Sequence, residues 1–287
     1  MTTTFTPARP IWCAGCGDFG VLQALVNALE ELGVPPHQRM VIAGIGCSGS
    51  LQNNLSCYGY HALHGRVLPT ATGAKLANPE LTVIGVGGDG DGYAIGGGHL
   101  MHAFKRNPGV TYIVMNNGTY GLTKGQPSPT APAGYGDNIE EDLDPVMLGL
   151  SIPGSTFLAR GYSGAPAQLL ALTKAALEHT AAGHGMSYLE VLSPCVTYND
   201  TYRDWRTAVY DMDAEEGYDC SDRAAAFVRM SALREEGRLP LGLIYRGERP
   251  ALEKLALNHE FAPPALQDVA APGMLASYRE AMQSFMR

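Results

Sequence analysis

The chain is predicted to be α/β, with a mainly parallel sheet flanked by helices and a C-terminal extension. Two observations lead to this. Apolar runs recur at MVIAGIG (Met40 to Gly46), LTVIGV (Leu81 to Val86), TYIVM (Thr111 to Met115) and SYLEVL (Ser187 to Leu192), and helical periodicity fills segments between them. Glycines number 35 in 287 residues, which suits many tight strand-to-helix loops, and a hydrophobic content of 45% is ample for a core.

Taken in order, IWCAGCGDFGVLQALVNALEELG opens with Cys13 and Cys16 in a CxxC. It continues as an amphipathic helix with Val21, Leu22, Leu25, Val26 and Leu29 at helical spacing and Asp18 as its expected N-cap. A CxxC ahead of a helix fits a redox dithiol, half of a zinc site or part of an iron–sulfur site. The strand from Met40 ends in Cys47 and Ser48, and the strand from Ser187 ends in SPC with Cys195. Both thiols therefore stand at strand C-termini, where open α/β sheets hold ligands. Leu68 to Ala77 reads as a short helix begun by Pro69. After Cys195 the chain turns polar and aromatic. SDRAAAFVRMSALREE then reads as a helix capped by Ser221, GLIYRGERPALEKL as a strand and a helical piece, and PGMLASYREAMQSFMR as a further helical piece. Nothing in this last region carries legible chemistry, and its expected role is packing.

Composition excludes some classes. With 28 acids against 20 bases, a net charge of −8, a nucleic-acid partner is disfavoured. No run of about 18 apolar residues is present to span a membrane, and MTTTFTPARPIW lacks the basic and apolar regions of a signal peptide, so a cytoplasmic protein is expected. The six cysteines then point to ligands, catalysis or burial before disulfides.

The stretch from Gly87 to Gln126 reads strand, loop, helix, strand. Its glycines permit close approach of backbone to phosphate, and the following helix offers free N–H groups. An acid beside a phosphate makes sense with a divalent cation between them. Asp89 offers the carboxylate, Asn117 an amide oxygen and Thr119 a backbone carbonyl. GDG followed 27 to 28 residues later by NN is similar to the thiamine diphosphate signature; the plain alternative is an ordinary βαβ turn. Cys13, Cys16, Cys47 and Cys195 are placed to converge, and a cubane cluster requires four thiolates. Cys57 and Cys220 lie outside such positions. His64, by spacing alone, reads as structural, and His99 with His102 as one helix face.

The motifs WCAGCGD, GIGCSG, YGYHALHGRVLPTATGAKLANP, GDGDGYAIGGGH, KRNPGVTYIVMNNGTYGLTKGQPSPT and SPC together resemble the β subunit of the two-subunit 2-oxoacid:ferredoxin oxidoreductases. They span roughly two thirds of the chain, from Ile11 to Asn199. The resemblance implies the pyrophosphate-binding type of thiamine diphosphate fold. It makes Asp89, Asn117 and the Thr119 carbonyl the Mg²⁺ ligands, with Gly90, Asp91, Leu122 and Thr123 on the diphosphate and Ile45, Gly46, Cys47, Ser48 and His64 on the opposite side of the cofactor. Cys13, Cys16, Cys47 and Cys195 become the ligands of a single 4Fe-4S cluster. It further implies CoA-dependent oxidative decarboxylation of a 2-oxoacid, 2-oxoglutarate or pyruvate, or the reverse reductive carboxylation, with ferredoxin as electron partner. The chain is too short for a second thiamine domain, so the activating glutamate is expected on an α subunit, in an αβ or α2β2 assembly. Residues 1–198 form the expected cofactor and cluster domain, and 199–287 an extension on the core and the partner. Ser50 follows GCSG where many relatives carry a basic or bulkier residue, which leaves the choice of 2-oxoacid open; Arg66, Lys75 and Lys124 are candidate carboxylate partners. Two rival classes are a zinc-stabilised binding module and a thiamine-dependent decarboxylase or synthase without iron.

Overall fold

The computed structural model describes residues 5–257, 262–268 and 273–284. Its strands are β1 (Arg39–Ala43), β2 (Tyr58–His61), β3 (Thr82–Gly88), β4 (Val110–Asn116), β5 (Thr119–Tyr120), β6 (Gln126–Pro127), β7 (Phe157–Tyr162), β8 (Ser187–Leu192), β9 (Val209–Asp211) and β10 (Leu239–Arg246). The helices are α1 (Asp18–Glu31), α2 (Val67–Ala77), α3 (Gly97–Arg106), α4 (Pro145–Ser151), α5 (Pro166–Ala181), α6 (Tyr202–Ala208), α7 (Arg223–Glu235), α8 (Leu252–Ala256) and α9 (Met274–Ser284). Eight strands form one sheet in the order β2-β1-β3-β4-β8-β7-β10-β9. From β2 to β7 every pairing is parallel, while β10 runs antiparallel to β7 and β9 parallel to β10.

A parallel sheet needs cover on both faces, because its crossover helices lie there and its strands read as continuous apolar runs. β4 shows the division. Ile113 and Met115 face α1 and α5, joining Leu25, Leu29, Leu169 and Leu172 in one apolar layer. Val110, Tyr112 and Val114 face the other way, toward Leu68, Leu100, Phe104 and Leu150 of α2, α3 and α4. α7 extends this second layer with Met230 and Leu233. Each fully buried Leu or Ile here contributes about 1.5–3 kcal/mol of transfer free energy.

The predicted strands and helices are present, with informative differences. Asp18 is not the N-cap of α1: Gly17 holds that position without a side-chain bond, and Asp18 turns inward to accept a 2.6 Å hydrogen bond from Ser193 Oγ. Asp222, not Ser221, caps α7, accepting from the N–H groups of Ala224 and Ala225, because Ser221 Oγ donates instead to Asp219. α6 and β9 fall in a stretch that has no apolar period, so nothing in the residue pattern announces them. Nor does it show that β10 enters the main sheet and reverses its direction; the turn of register comes between Leu243 and Tyr245. Of the last predicted helical piece, Pro272 and residues 285–287 lie outside the described residues.

His179 sits under the sheet, fully buried, with Nε2 3.1 Å from Thr156 Oγ1 and its other ring nitrogen without a partner. Burial, with the neighbouring His184 and Arg246, lowers its pKa from 6.5 to about 4. The unfolded chain therefore takes up this proton first as pH falls, and stability is lost between 6.5 and about 4. Denaturant titrations over that range are expected to show a shallower acid loss for His179→Gln than for the wild type; equal slopes would contradict the burial of a neutral imidazole.

Candidate functional site

After β1 the chain moves outward to β2, and after β3 it moves the other way to β4. The carboxyl ends of β1 and β3 are thus a topological switch point, the place where open α/β sheets bind ligands. An open cleft of about 690 Å³ lies there. The loop after β1 contributes Ile45, Gly46, Cys47 and Ser48, and His64 comes from the loop after β2. Asp89, Gly90 and Asp91 follow β3, and Asn117, Thr119, Leu122 and Thr123 follow β4. The structure therefore brings every predicted cofactor and cation residue to one cleft.

Asp89 is its most constrained group. Its Oδ2 accepts from Gly118 N at 3.1 Å, Ser128 Oγ at 2.5 Å and Thr130 Oγ1 at 2.7 Å. Burial raises its pKa, and the Ser128 and Thr130 hydroxyls only partly offset this. All three bonds fall on Oδ2. Asn117 Oδ1 accepts from Thr119 N at 3.0 Å, which fixes the amide oxygen in orientation. The Thr119 carbonyl accepts from Gly121 N at 3.1 Å and keeps a second lone pair.

Asp91 behaves differently. It borders the cleft, yet its Oδ1 accepts from Ile45 N at 3.1 Å and Gly65 N at 2.8 Å and meets His64 Nδ1 at 2.7 Å. Through Oδ1 this carboxylate ties three loops together, while its Oδ2 is buried without a partner. Directly after Asp89 the chain enters a wide π-helical turn, Gly90–Ile95, that leads into α3. Such turns recur at functional sites.

The thiols lie on the adjoining side. Cys16 N donates to the Cys13 carbonyl, and Gly17 N donates to the Pro194 carbonyl, so the CxxC turn is pinned to the SPC loop. Thr197 Oγ1 donates to Cys13 Sγ at 3.2 Å. A methyl on Gly121 would stand 3.5 Å from Cys195 Sγ and 3.7 Å from Cys47 Sγ, so both sulfurs flank one glycine of the cleft wall. Burial raises Cys47 to about 11 and Cys16 higher still, with Asp18 and the neighbouring thiols adding to both. Cys57 and Cys220 sit elsewhere, Cys57 in the core beneath β1.

Other expectations need correction. Lys75 cannot meet a substrate carboxylate, because it is buried and its Nζ donates to the carbonyls of Pro79 and Leu81 at 2.8 Å each. Ser50 Oγ donates to the Cys47 carbonyl and so closes its own turn. Three residues of the site escaped sequence reasoning: Asp18, Ser128 and Thr130. Asp18 lines the cleft beside Cys16, buried, with its pKa raised to about 6 chiefly by desolvation. Its place in WCAGCGD was the available signal.

Comparison with known proteins agrees with this geometry. The family model described as thiamine pyrophosphate enzyme, C-terminal TPP binding domain, matches residues 40–191. Residues 195–259 match the C-terminal model of the pyruvate ferredoxin oxidoreductase beta subunit. The chain is 41% identical to 2-oxoacid:ferredoxin oxidoreductase 2, subunit beta, of Aeropyrum pernix, over 93% of this chain and 92% of that one. It is 38% identical to the 2-oxoglutarate synthase subunit KorB of Methanocaldococcus jannaschii, over 66% and 70%. Among solved structures, the 2-oxoglutarate:ferredoxin oxidoreductase of Magnetococcus marinus with 2-oxoglutarate, coenzyme A and succinyl-CoA bound is similar, with a TM-score of 0.80 and 35% identity. That match covers 97% of this chain and 89% of the other.

Two glycines hold the cleft open by lacking a side chain. A methyl on Gly44 would overlap the Asp91 carboxylate, and one on Gly90 would overlap the Tyr120 ring. Gly44→Ala and Gly90→Ala are each expected to lower stability by about 1–3 kcal/mol in denaturant unfolding. Gly73→Ala, on an exposed face of α2 with nothing within 4 Å, should instead raise it by roughly 0.5–1 kcal/mol. The opposite order would contradict the packing described.

Proposed function

This chain belongs to the β subunits of the 2-oxoacid:ferredoxin oxidoreductases, and we propose that, with its α subunit, it carries out CoA-dependent oxidative decarboxylation of 2-oxoglutarate or the reverse reductive carboxylation. The reading includes thiamine diphosphate with Mg²⁺, one 4Fe-4S cluster and ferredoxin as electron partner, in the cytoplasm. The observation that carries it is the position of residues 47 and 48. Cys47 belongs to the group of four thiols while its neighbour Ser48 lines the cleft with Asp89, so one turn serves both centres.

The residues fit the groups proposed. Ser48 Oγ is buried without a partner, an orphan that a phosphate oxygen would satisfy. Gly46 has φ +102°, and nothing lies within 4 Å of where its side chain would be, which opens that wall to a ligand. Asp89 Oδ1, Asn117 Oδ1 and the Thr119 carbonyl supply three oxygens of the kind a hard cation takes beside phosphates. Among the described residues no three His, Cys, Asp or Glu groups come close enough to chelate a single ion; in a cubane each thiolate takes its own iron, which asks for a wider spacing.

Thiamine diphosphate, when bound, supplies the carbanion that attacks a 2-oxoacid carbonyl and takes up the electrons left by loss of CO₂. This chain's part is placement. Asp89 and Asn117 would hold the cation that neutralises the diphosphate, and Cys13, Cys16, Cys47 and Cys195 would hold iron beside the same cleft. Burial keeps Cys16 and Cys47 protonated in the free protein, so loading metal must displace protons from them. The proposal assigns no acid or base catalyst to this chain; the activating glutamate is assigned to the α subunit. Ile45, Leu122, Leu63 and Ile95 are exposed apolar side chains on the cleft loops and beside them, a rim suited to that subunit. Residues 1–198 are read as the cofactor and cluster domain and 199–287 as the extension that packs on it and on the partner.

The choice of 2-oxoglutarate is supported by the Magnetococcus marinus structure and the Methanocaldococcus jannaschii relative. Pyruvate or a broad range of 2-oxoacids is the second reading, favoured by the Aeropyrum pernix relative's general name and by Ser50, which offers no charge to a second carboxylate.

Asp89→Ala is expected to abolish Mg²⁺-dependent thiamine diphosphate binding in calorimetry while leaving cluster absorption intact. Cys195→Ala should remove the cluster and spare cofactor binding, and loss of both properties in either variant would contradict the division of roles. The chain purified without its α subunit should show no 2-oxoacid-dependent dye reduction; robust turnover by the lone chain would overturn the proposed sharing of the site.

A further inference from the structure

The NN pair that closes β4 divides its side chains between two cavities. Asn117 lines the cofactor cleft, while Asn116 faces a second cavity of about 880 Å³ whose wall includes Arg160 and Glu190. Asn116 Nδ2 donates to Glu190 Oε1 at 2.7 Å. Its Oδ1 accepts from Gly118 N at 3.0 Å and from Thr130 Oγ1 at 2.8 Å. Gly118 N also reaches Asp89 Oδ2 at 3.1 Å, and Thr130 Oγ1 lies 2.7 Å from the same oxygen, so its single proton is shared between Asn116 and Asp89. Behind Glu190, Arg160 Nε donates to its Oε2 at 2.6 Å, and Arg160 Nη2 donates to Asp144 Oδ1 at 2.8 Å. Asp144 in turn caps α4.

These groups are buried: exposure is 6% for Asn116, 1% for Glu190 and 5% for Arg160. A buried ion triad is not a strong source of stability, since apolar replacements of equal volume are often neutral or stabilising. Its consequence here is geometric. Of the two ends of the Asn116 amide, the Glu190 carboxylate can accept from the nitrogen alone, so it sets which way that amide faces. That orientation presents Oδ1 to the same N–H and hydroxyl that hold Asp89.

We propose that Asn116, locked by the Asp144–Arg160–Glu190 triad, is the positioning residue for the cation site, acting through Thr130 and Gly118 on Asp89 and on the Asn117–Thr119 turn. The inference rests on the reading of Asp89 as a cation ligand given above. Outer partners of this kind commonly set 10–100-fold in metal affinity.

The test uses the full-length chain with its α subunit, titrating Mg²⁺ at fixed thiamine diphosphate and reading cofactor binding by calorimetry. Asn116→Asp sets a carboxylate against Glu190, and the Mg²⁺ needed for half-saturation should rise roughly 10–100-fold. Adding Glu190→Gln exchanges donor and acceptor across the pair and should recover most of that loss. Thr130→Val, nearly isosteric and the gentler change, should raise the requirement by roughly tenfold. Asn116→Asp buries a second charge beside Glu190 and should itself lower the thermal midpoint, so the discriminating readings are Thr130→Val and the double variant, whose midpoints without cofactor should stay near wild type, which a merely structural role would not allow. Wild-type Mg²⁺ requirement in both Asn116→Asp and Thr130→Val overturns the proposal, as does a loss in Thr130→Val that merely tracks a lowered midpoint. Asp89→Ala is the control: if that variant binds cofactor with normal Mg²⁺ dependence, the cation-site reading falls and takes this inference with it.

Discussion

A buried carboxylate at the end of a parallel strand is costly unless it is paired, and Asp89 is the constraint around which this site is built. Three donors hold one of its oxygens, and they come from two segments: Gly118 after β4, and Ser128 and Thr130 in the loop after β6. Those donors do not neutralise it, and burial still raises its pKa. The glycines at 44 and 90 follow from the same crowding, since their missing side chains make room for Asp91 and Tyr120 around the same turn.

The second constraint is the sharing of a turn between the cleft and the thiols. The loop after β1 brings both Cys47 and Ser48 to the cleft wall, Cys47 also approaching the other thiols, and Trp12 Nε1 donates to the Cys47 carbonyl at 2.8 Å, tying this loop to the CxxC segment. Asp18 and Ser193 join the CxxC helix to the SPC loop from behind. The spacing between the cleft and the thiols is thereby set by backbone that both use. A methyl on Gly121 would stand 3.5 and 3.7 Å from the Cys195 and Cys47 sulfurs, so this glycine lies between the cleft and the thiols.

Much of this was legible in the residues. The apolar runs marked β1, β3, β4 and β8 because parallel strands are buried on both faces, and GDG with NN placed Asp89 and Asn117 at the ends of adjacent strands. The four thiols could be picked from six by their positions at strand ends and in the CxxC. What stayed hidden depends on tertiary contact. Ser128 and Thr130 lie in a loop whose sequence, QPSPT, says nothing of the carboxylate they reach. Lys75 looked available for a substrate and is spent on two carbonyls of its own loop. The reversal at β10 and the short α6 and β9 leave no period to read.

The central claim is that one chain holds a thiamine diphosphate site and a cubane within the same set of loops. The most direct measurement is the metal, sulfide and cofactor content of the αβ pair, prepared anaerobically. The account predicts about four iron and four sulfide per β chain with brown colour, alongside one thiamine diphosphate and Mg²⁺. A colourless protein with full zinc occupancy and no iron would contradict it.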